Sequence, residues 1–134
     1  MPFGVTVDAC VLIDFMRARD KSNTLYRKLA CNGTPLYIST VVLFEVRTGL
    51  NESNQERILD ILTEVRCLSF DARIAEIAAD LSIKLRKNRI QVERSDLFIA
   101  ATAMVHKLPL ATLNRRHFNG IDGLTLFDDN RSQP

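Results

Sequence analysis

Short apolar runs of strand length recur along this chain, each followed by a longer segment with helical period, and that alternation confines it to an α/β architecture. Strands are predicted over 4–8, 35–39 ("PLYIS"), 67–70 ("CLSF"), 108–113 ("LPLATL") and 124–127 ("LTLF"). Helices are predicted over 11–18, 22–31, 40–50, 53–66, 71–88 and 95–107. In 53–66 the apolar residues Ile58, Leu59, Leu62 and Val65 keep helical spacing, with Ser53 as cap and Glu56 closing a capping box. In 71–88, Ile74, Ile77, Ala78, Leu81 and Leu85 form one stripe behind Asp71. Strands joined through helices run in one direction, so the expected sheet is largely parallel, and ligands of such sheets bind beyond the carboxyl ends of the strands.

The chain has 134 residues, which predicts a single domain over 1–128 and a flexible C-terminal tail over 129–134. A hydrophobic share of 46% excludes disorder. A net charge of +2 identifies no nucleic-acid binder by itself, but leaves room for local patches. Cys10, Cys31 and Cys67 are far apart and form no zinc pattern. No segment reads as a signal peptide, and no apolar run approaches the roughly 20 residues of a membrane span. The expectation is a reduced, cytoplasmic protein with no membrane partner.

Three acids interrupt apolar segments. Asp8 directly follows "VTV", at the carboxyl end of the first predicted strand. Glu45 breaks "VVLFEV", and Gly49 shares its helix face one turn later, either leaving room for a ligand or ending the helix. Asp96 opens the most apolar helix. Ordinary alternatives exist: Asp8 and Asp96 suit helix N-termini, and Asp8 could pair with a buried arginine. If all three converge, they cannot ionise together without a counter-charge, and their segments supply none. A hard dication, Mg²⁺ or Mn²⁺, is the economical solution, and can activate water at a phosphodiester.

The order of these segments resembles the PIN-domain ribonucleases, specifically the VapC toxins of bacterial toxin–antitoxin pairs. "VDACVLIDF", "ISTVVLFEVRTGL", "SDLFIAATA" and "LATLNRRHF" are similar to four family segments in the family's order. The resemblance implies a three-layer α/β/α PIN-like fold. It implies a metal-dependent endoribonuclease with Asp8, Glu45 and Asp96 as catalytic acids, Asp8 and Asp96 as direct metal ligands, and Glu45 as a ligand or an organiser of bound water. It also implies an RNA substrate, a cognate antitoxin and a homodimer. The chain departs from the family in the late segment, where many members carry a fourth acid. Here Thr112 and Asn114 offer only neutral oxygens, which favours one firm metal over two. Cys10 stands where a small hydroxyl or amide is frequent, and sulfur is a poor ligand for Mg²⁺, so it is expected only to pack.

RNA held against an acidic pocket needs cations nearby. Arg115, Arg116 and His117 should lie on the rim, beyond a strand end. Lys84, Arg86, Lys87, Arg89 and Arg94 precede Asp96, and Arg17 and Arg19, near the end of the first helix, are open on the same terms. His106 reads as structural, and Asp14 and Glu93 read as surface acids, with contact to the metal's waters as the alternative. The faces of helices 22–31 and 53–66 are candidates for dimerisation, or alternatively for covering the sheet. A module that binds RNA or antitoxin without cleavage is the alternative, motivated by the missing fourth acid. Phosphatase and receiver domains also place an Asp after strand one, but Cys10 occupies the position where such a phosphatase needs its second Asp.

Overall fold

The computed structural model describes residues 3–128. β1 (Val5–Val7) runs into α1 (Ala9–Arg17), then a 3-10 turn (Lys21–Asn23) and α2 (Leu25–Cys31). β2 (Leu36–Ser39) leads into α3 (Thr40–Gly49) and α4 (Glu52–Leu62), and β3 (Arg66–Leu68) into α5 (Ala72–Lys87) and α6 (Arg94–Val105). β4 (Leu110–Ala111) precedes a second 3-10 turn (Arg115–His117).

The four strands lie in the order β3-β2-β1-β4, and every pairing is parallel. Val5 sits opposite Leu36, and Thr6 opposite Tyr37 on one side and Leu110 on the other. Val5, Thr6 and Val7 are all buried although their side chains alternate between faces. The sheet is therefore covered on both sides, as the three-layer expectation requires. The chain builds outward from β1 to β3, then returns to add β4 on the opposite side of β1. The strand order thus reverses between β1 and β4, and their carboxyl ends make the crevice where α/β sheets bind ligands.

The core is aliphatic: Val7, Val11, Leu12, Val46, Ile58 and Ile74 lose essentially all contact with water. Full burial of one such side chain contributes about 1.5–3 kcal/mol. Ala100, Ala101 and Ala103 give α6 a slim surface, also fully buried. Gly4, at φ +139°, lies so close to strand β2 that a Cβ would meet the Pro35 carbonyl oxygen. Among the described residues, no helix is long and apolar enough to cross a membrane.

Several local expectations are corrected. α1 begins two residues early, because Asp8 caps it. Segment 22–31 splits, since Thr24 ends the 3-10 turn and caps α2 with its own hydroxyl. α4 is capped by Asn51, whose side chain accepts from the Asn54 N–H, and not by Ser53 with Glu56. It stops at Leu62, where the Thr63 hydroxyl donates to the Asp60 carbonyl, and β3 starts at Arg66. The expected last strand at 124–127 is reduced to one parallel bridge between Leu110 and Leu126. On the faces offered for dimerisation, Tyr26, Leu29, Ile58 and Ile61 are buried within this chain, while Leu59 is 46% exposed. The tail expected at 129–134 lies outside the described residues.

Candidate active site

Asp8 is held from three directions. Its backbone N–H donates to the Ala111 carbonyl at 2.9 Å, carrying the β1–β4 pairing one residue past the strand. Its extended conformation (φ −78°, ψ 157°) leaves the carboxylate over the N-terminus of α1, where Oδ1 accepts the Ala9 N–H at 2.8 Å. Oδ2 accepts the Thr112 hydroxyl at 2.8 Å and the Cys10 thiol at 3.4 Å. Asp8 is only 6% exposed, so these partners replace nearly all its hydration. Capping and site-forming are thus not alternatives here, for the two carboxylate oxygens divide the tasks.

Thr112 and Cys10 carry the loop after β4. The Thr112 hydroxyl accepts the Asn114 N–H at 3.0 Å, and the Cys10 sulfur accepts the Leu113 N–H at 3.3 Å. Burial, and then the Asp8 charge, push the Cys10 pKa upward, which keeps the sulfur protonated and able to donate. The expectation that Cys10 only packs is therefore corrected, because it ties Asp8 to the β4 loop. The signal was its place two residues after Asp8, in the first turn of the helix Asp8 caps.

Glu45 and Asp96 arrive on other helices. Ser39 caps α3 by accepting the Val42 N–H at 3.1 Å, and Glu45 follows in the middle of that helix, half-buried. Gly49 is its last residue, and a Cβ there would come within 3.1 Å of Ile13 Cδ1, so the glycine allows close packing with α1. Asp96 occupies the first turn of α6. His117 Nδ1 stands 3.3 Å from Asp96 Oδ2.

Asp8, Glu45 and Asp96 line one open cavity of about 530 Å³, together with Cys10, Asp14 and Asn114. Electrostatics report the same convergence. Burial raises the Glu45 pKa, the Asp8 charge raises it further, the Ser95 hydroxyl pulls it back, and Asp96 adds to the rise. Burial likewise raises Asp96, with Asp8 and Glu93 adding to it and His117 opposing. Negative charge is therefore concentrated here beyond what the chain's own cations neutralise. Among the described residues, no group of three Asp, Glu, His or Cys side chains is drawn close enough to hold a metal ion by itself. A set of separated carboxylate oxygens facing an open cavity instead suits a hard cation that keeps several of its waters.

The other residues singled out in the sequence fall into groups. Asn114 and His117 line the acid cavity, while Thr112 acts behind it on Asp8. Arg116 and His117 line a larger adjoining cleft. Arg115 turns away, its guanidinium donating to the Phe127 carbonyl at 2.9 Å. Lys84 reaches Asp122 at 3.4 Å, and Arg17 donates to the Gly49 carbonyl at 3.1 Å from the cavity's edge. Asp14, expected at the surface, lines the acid cavity. Ser95, beside Glu45, had no signal beyond its place before Asp96.

The family model of the PIN domain matches residues 5–124. Ribonuclease VapC1 of Methanocaldococcus jannaschii is 32% identical over 127 residues, covering 92% of this chain and 87% of that protein. A toxin–antitoxin complex from Klebsiella pneumoniae holds a chain that superposes with a TM-score of 0.71 at 27% identity, over 91% of this chain and 96% of that one. DNA-bound VapBC from Salmonella typhimurium superposes with a TM-score of 0.80 at 22% identity, over 95% and 98%, a likeness of fold. From the matched span and these relatives, the chain belongs to the PIN-domain family and is of the VapC toxin type.

Proposed function

We propose that this chain is a divalent-metal-dependent endoribonuclease toxin whose activity a cognate antitoxin restrains. The observation that carries the reading is the meeting of Asp8, Glu45 and Asp96 in one cavity at the switch point of the sheet, each from a different segment. When bound, Mg²⁺ or Mn²⁺ supplies positive charge for the reacting phosphate and lowers the pKa of a water to that of a usable nucleophile.

Asp8 and Asp96 are the proposed metal-holding residues, and Glu45 completes the acidic set or orients water. Thr112 and Cys10 fix the direction of the Asp8 carboxylate, so the cation meets a pre-positioned oxygen. Asn114 offers a neutral oxygen at the cavity wall, where many relatives of this type place an acid. His117 balances Asp96 and stands, with Arg116, where an RNA backbone would enter. Arg115, bound to the Phe127 carbonyl, serves RNA only after leaving that partner. The antitoxin and a homodimer belong to the same reading. So does the extent of the domain, residues 1–128.

The deciding experiment is cleavage of a mixed RNA pool by purified, antitoxin-free protein, with and without Mg²⁺ or Mn²⁺. Metal-dependent cleavage by wild type and its loss in Asp8→Asn and Asp96→Asn support the reading. Binding of RNA without cleavage under every metal condition overturns it in favour of a non-catalytic binding module.

A further inference from the structure

We propose that the RNA strand leaves the acid cavity along one particular side, through a cleft that grips its phosphates with Arg86, Arg94 and Arg116. This inference rests on the ribonuclease reading and names the track of its substrate. The cleft, of about 870 Å³, is the larger of the two cavities meeting at Asp96 and His117, which line both. A polymer reacting at the acids therefore meets this cleft next, at the Asp96–His117 pair.

The lining brings together guanidiniums from three segments: Arg86 at the end of α5, Arg94 at the start of α6, and Arg116 in the turn after β4. None of the three has an ion-pair partner among the described residues. Other basic residues of the same stretches are committed elsewhere, Lys84 to Asp122 and Arg115 to the Phe127 carbonyl. The cleft's own acids are Glu93 and the shared Asp96. Arginine presents a planar fork that suits phosphate oxygens. The cleft is lined by no Phe, Tyr or Trp on which a base could stack, and its one imidazole, His117, stands against Asp96. The chemistry recognised is thus the sugar–phosphate backbone of a single strand, which positions without reading sequence. A protein segment would need an acidic face to fit here, and nothing in the lining favours one over phosphate.

The test is steady-state cleavage of a short single-stranded RNA of mixed sequence across a salt series. Wild type is compared with Arg86→Gln, Arg94→Gln, Arg116→Gln and the triple variant, with Lys28→Gln as a charge control on the far helix α2. Each cleft variant is expected to raise KM while kcat holds, the signature of lost uniform binding. The triple variant should flatten the slope of log kcat/KM against log salt by about 2, from about 0.7 per phosphate contact on single strands. Circular dichroism establishes that the variants fold. An unchanged KM and salt slope, or an equal effect of Lys28→Gln, overturns the proposal while leaving the nuclease reading intact. Unchanged RNA kinetics with weakened antitoxin binding overturns it too, assigning the cleft to protein. A wild type that cuts no RNA at all instead refutes the nuclease reading itself.

Discussion

Replacing Thr112 by valine tests how Asp8 is held. Valine keeps the shape of threonine, so no cavity opens and the change is almost purely polar. It removes the 2.8 Å hydrogen bond to the Asp8 carboxylate and the acceptor of the Asn114 N–H. A hydrogen bond to a charged, buried partner contributes about 1.5–3 kcal/mol. Asn114 is exposed, and water replaces most of what its N–H loses. The expected cost is about 2–3 kcal/mol, or about 6–12 °C in melting temperature for a chain of this size. Thr112→Ser keeps both bonds and gives up one methyl, about 1 kcal/mol. Thermal melts in EDTA, where no cation can re-anchor Asp8, measure both variants. RNA cleavage by the valine variant in Mg²⁺ should fall at least about tenfold, because Asp8 is no longer aimed. If serine costs as much as valine, or valine matches wild type in melting and cleavage, the hydroxyl does not hold Asp8 and the reasoning fails.

Asp8→Asn should reduce RNA cleavage by about 100-fold or more while the fold persists, since asparagine also caps a helix; cleavage near the wild-type rate refutes the assigned role. The raised pKa values of Glu45 and Asp96 also set a direction in pH. Carboxyls raised in the folded state bind protons more tightly there than when unfolded. Their contribution to stability is therefore fully present below the ordinary carboxylate pKa and is lost as pH rises through the raised values. Melting temperatures of metal-free protein should fall across that window, and less steeply in Asp8→Asn, which lacks the neighbouring charge. Adding Mg²⁺ at pH 8 should restore stability, by about 2.7 kcal/mol at a hundredfold excess over its dissociation constant, with no such gain in Asp8→Asn. Gly4→Ala should cost about 2 kcal/mol or more, as a side chain there meets strain and the Pro35 carbonyl; an unchanged denaturation midpoint counts against that geometry.

The sequence carried Asp8, Glu45 and Asp96 because a carboxylate in an apolar run is costly, and cost leaves a visible pattern. It carried the parallel sheet because strands and helices alternate, and the Asp71 cap because a long helical stripe followed it. Element ends were less legible. Asn51 and Ser53 are both good caps two residues apart, and only the path of the chain decides between them. The run 124–127 is strand-like in composition, but a ladder needs a continuous partner, and only Leu126 finds one on the two-residue β4. Helices 22–31 and 53–66 read as amphipathic, yet periodicity does not say whether an apolar face meets its own sheet or another molecule. The bond from Thr112 to Asp8 was hidden because it depends on the β4 loop arriving from 104 residues away. The division of the arginines into committed and unpaired ones was hidden for the same reason.

The bond between Thr112 and Asp8 joins positions 104 residues apart. Translation is vectorial, so a growing polypeptide that has already made β1, β2 and β3 still lacks the hydroxyl that aims its first carboxylate. Until β4 emerges from the ribosome and inserts beside β1, the nascent chain cannot present its acids in working order. The arrangement of the acid cavity is thus among the late features of the fold to be completed during synthesis, since it waits on Thr112.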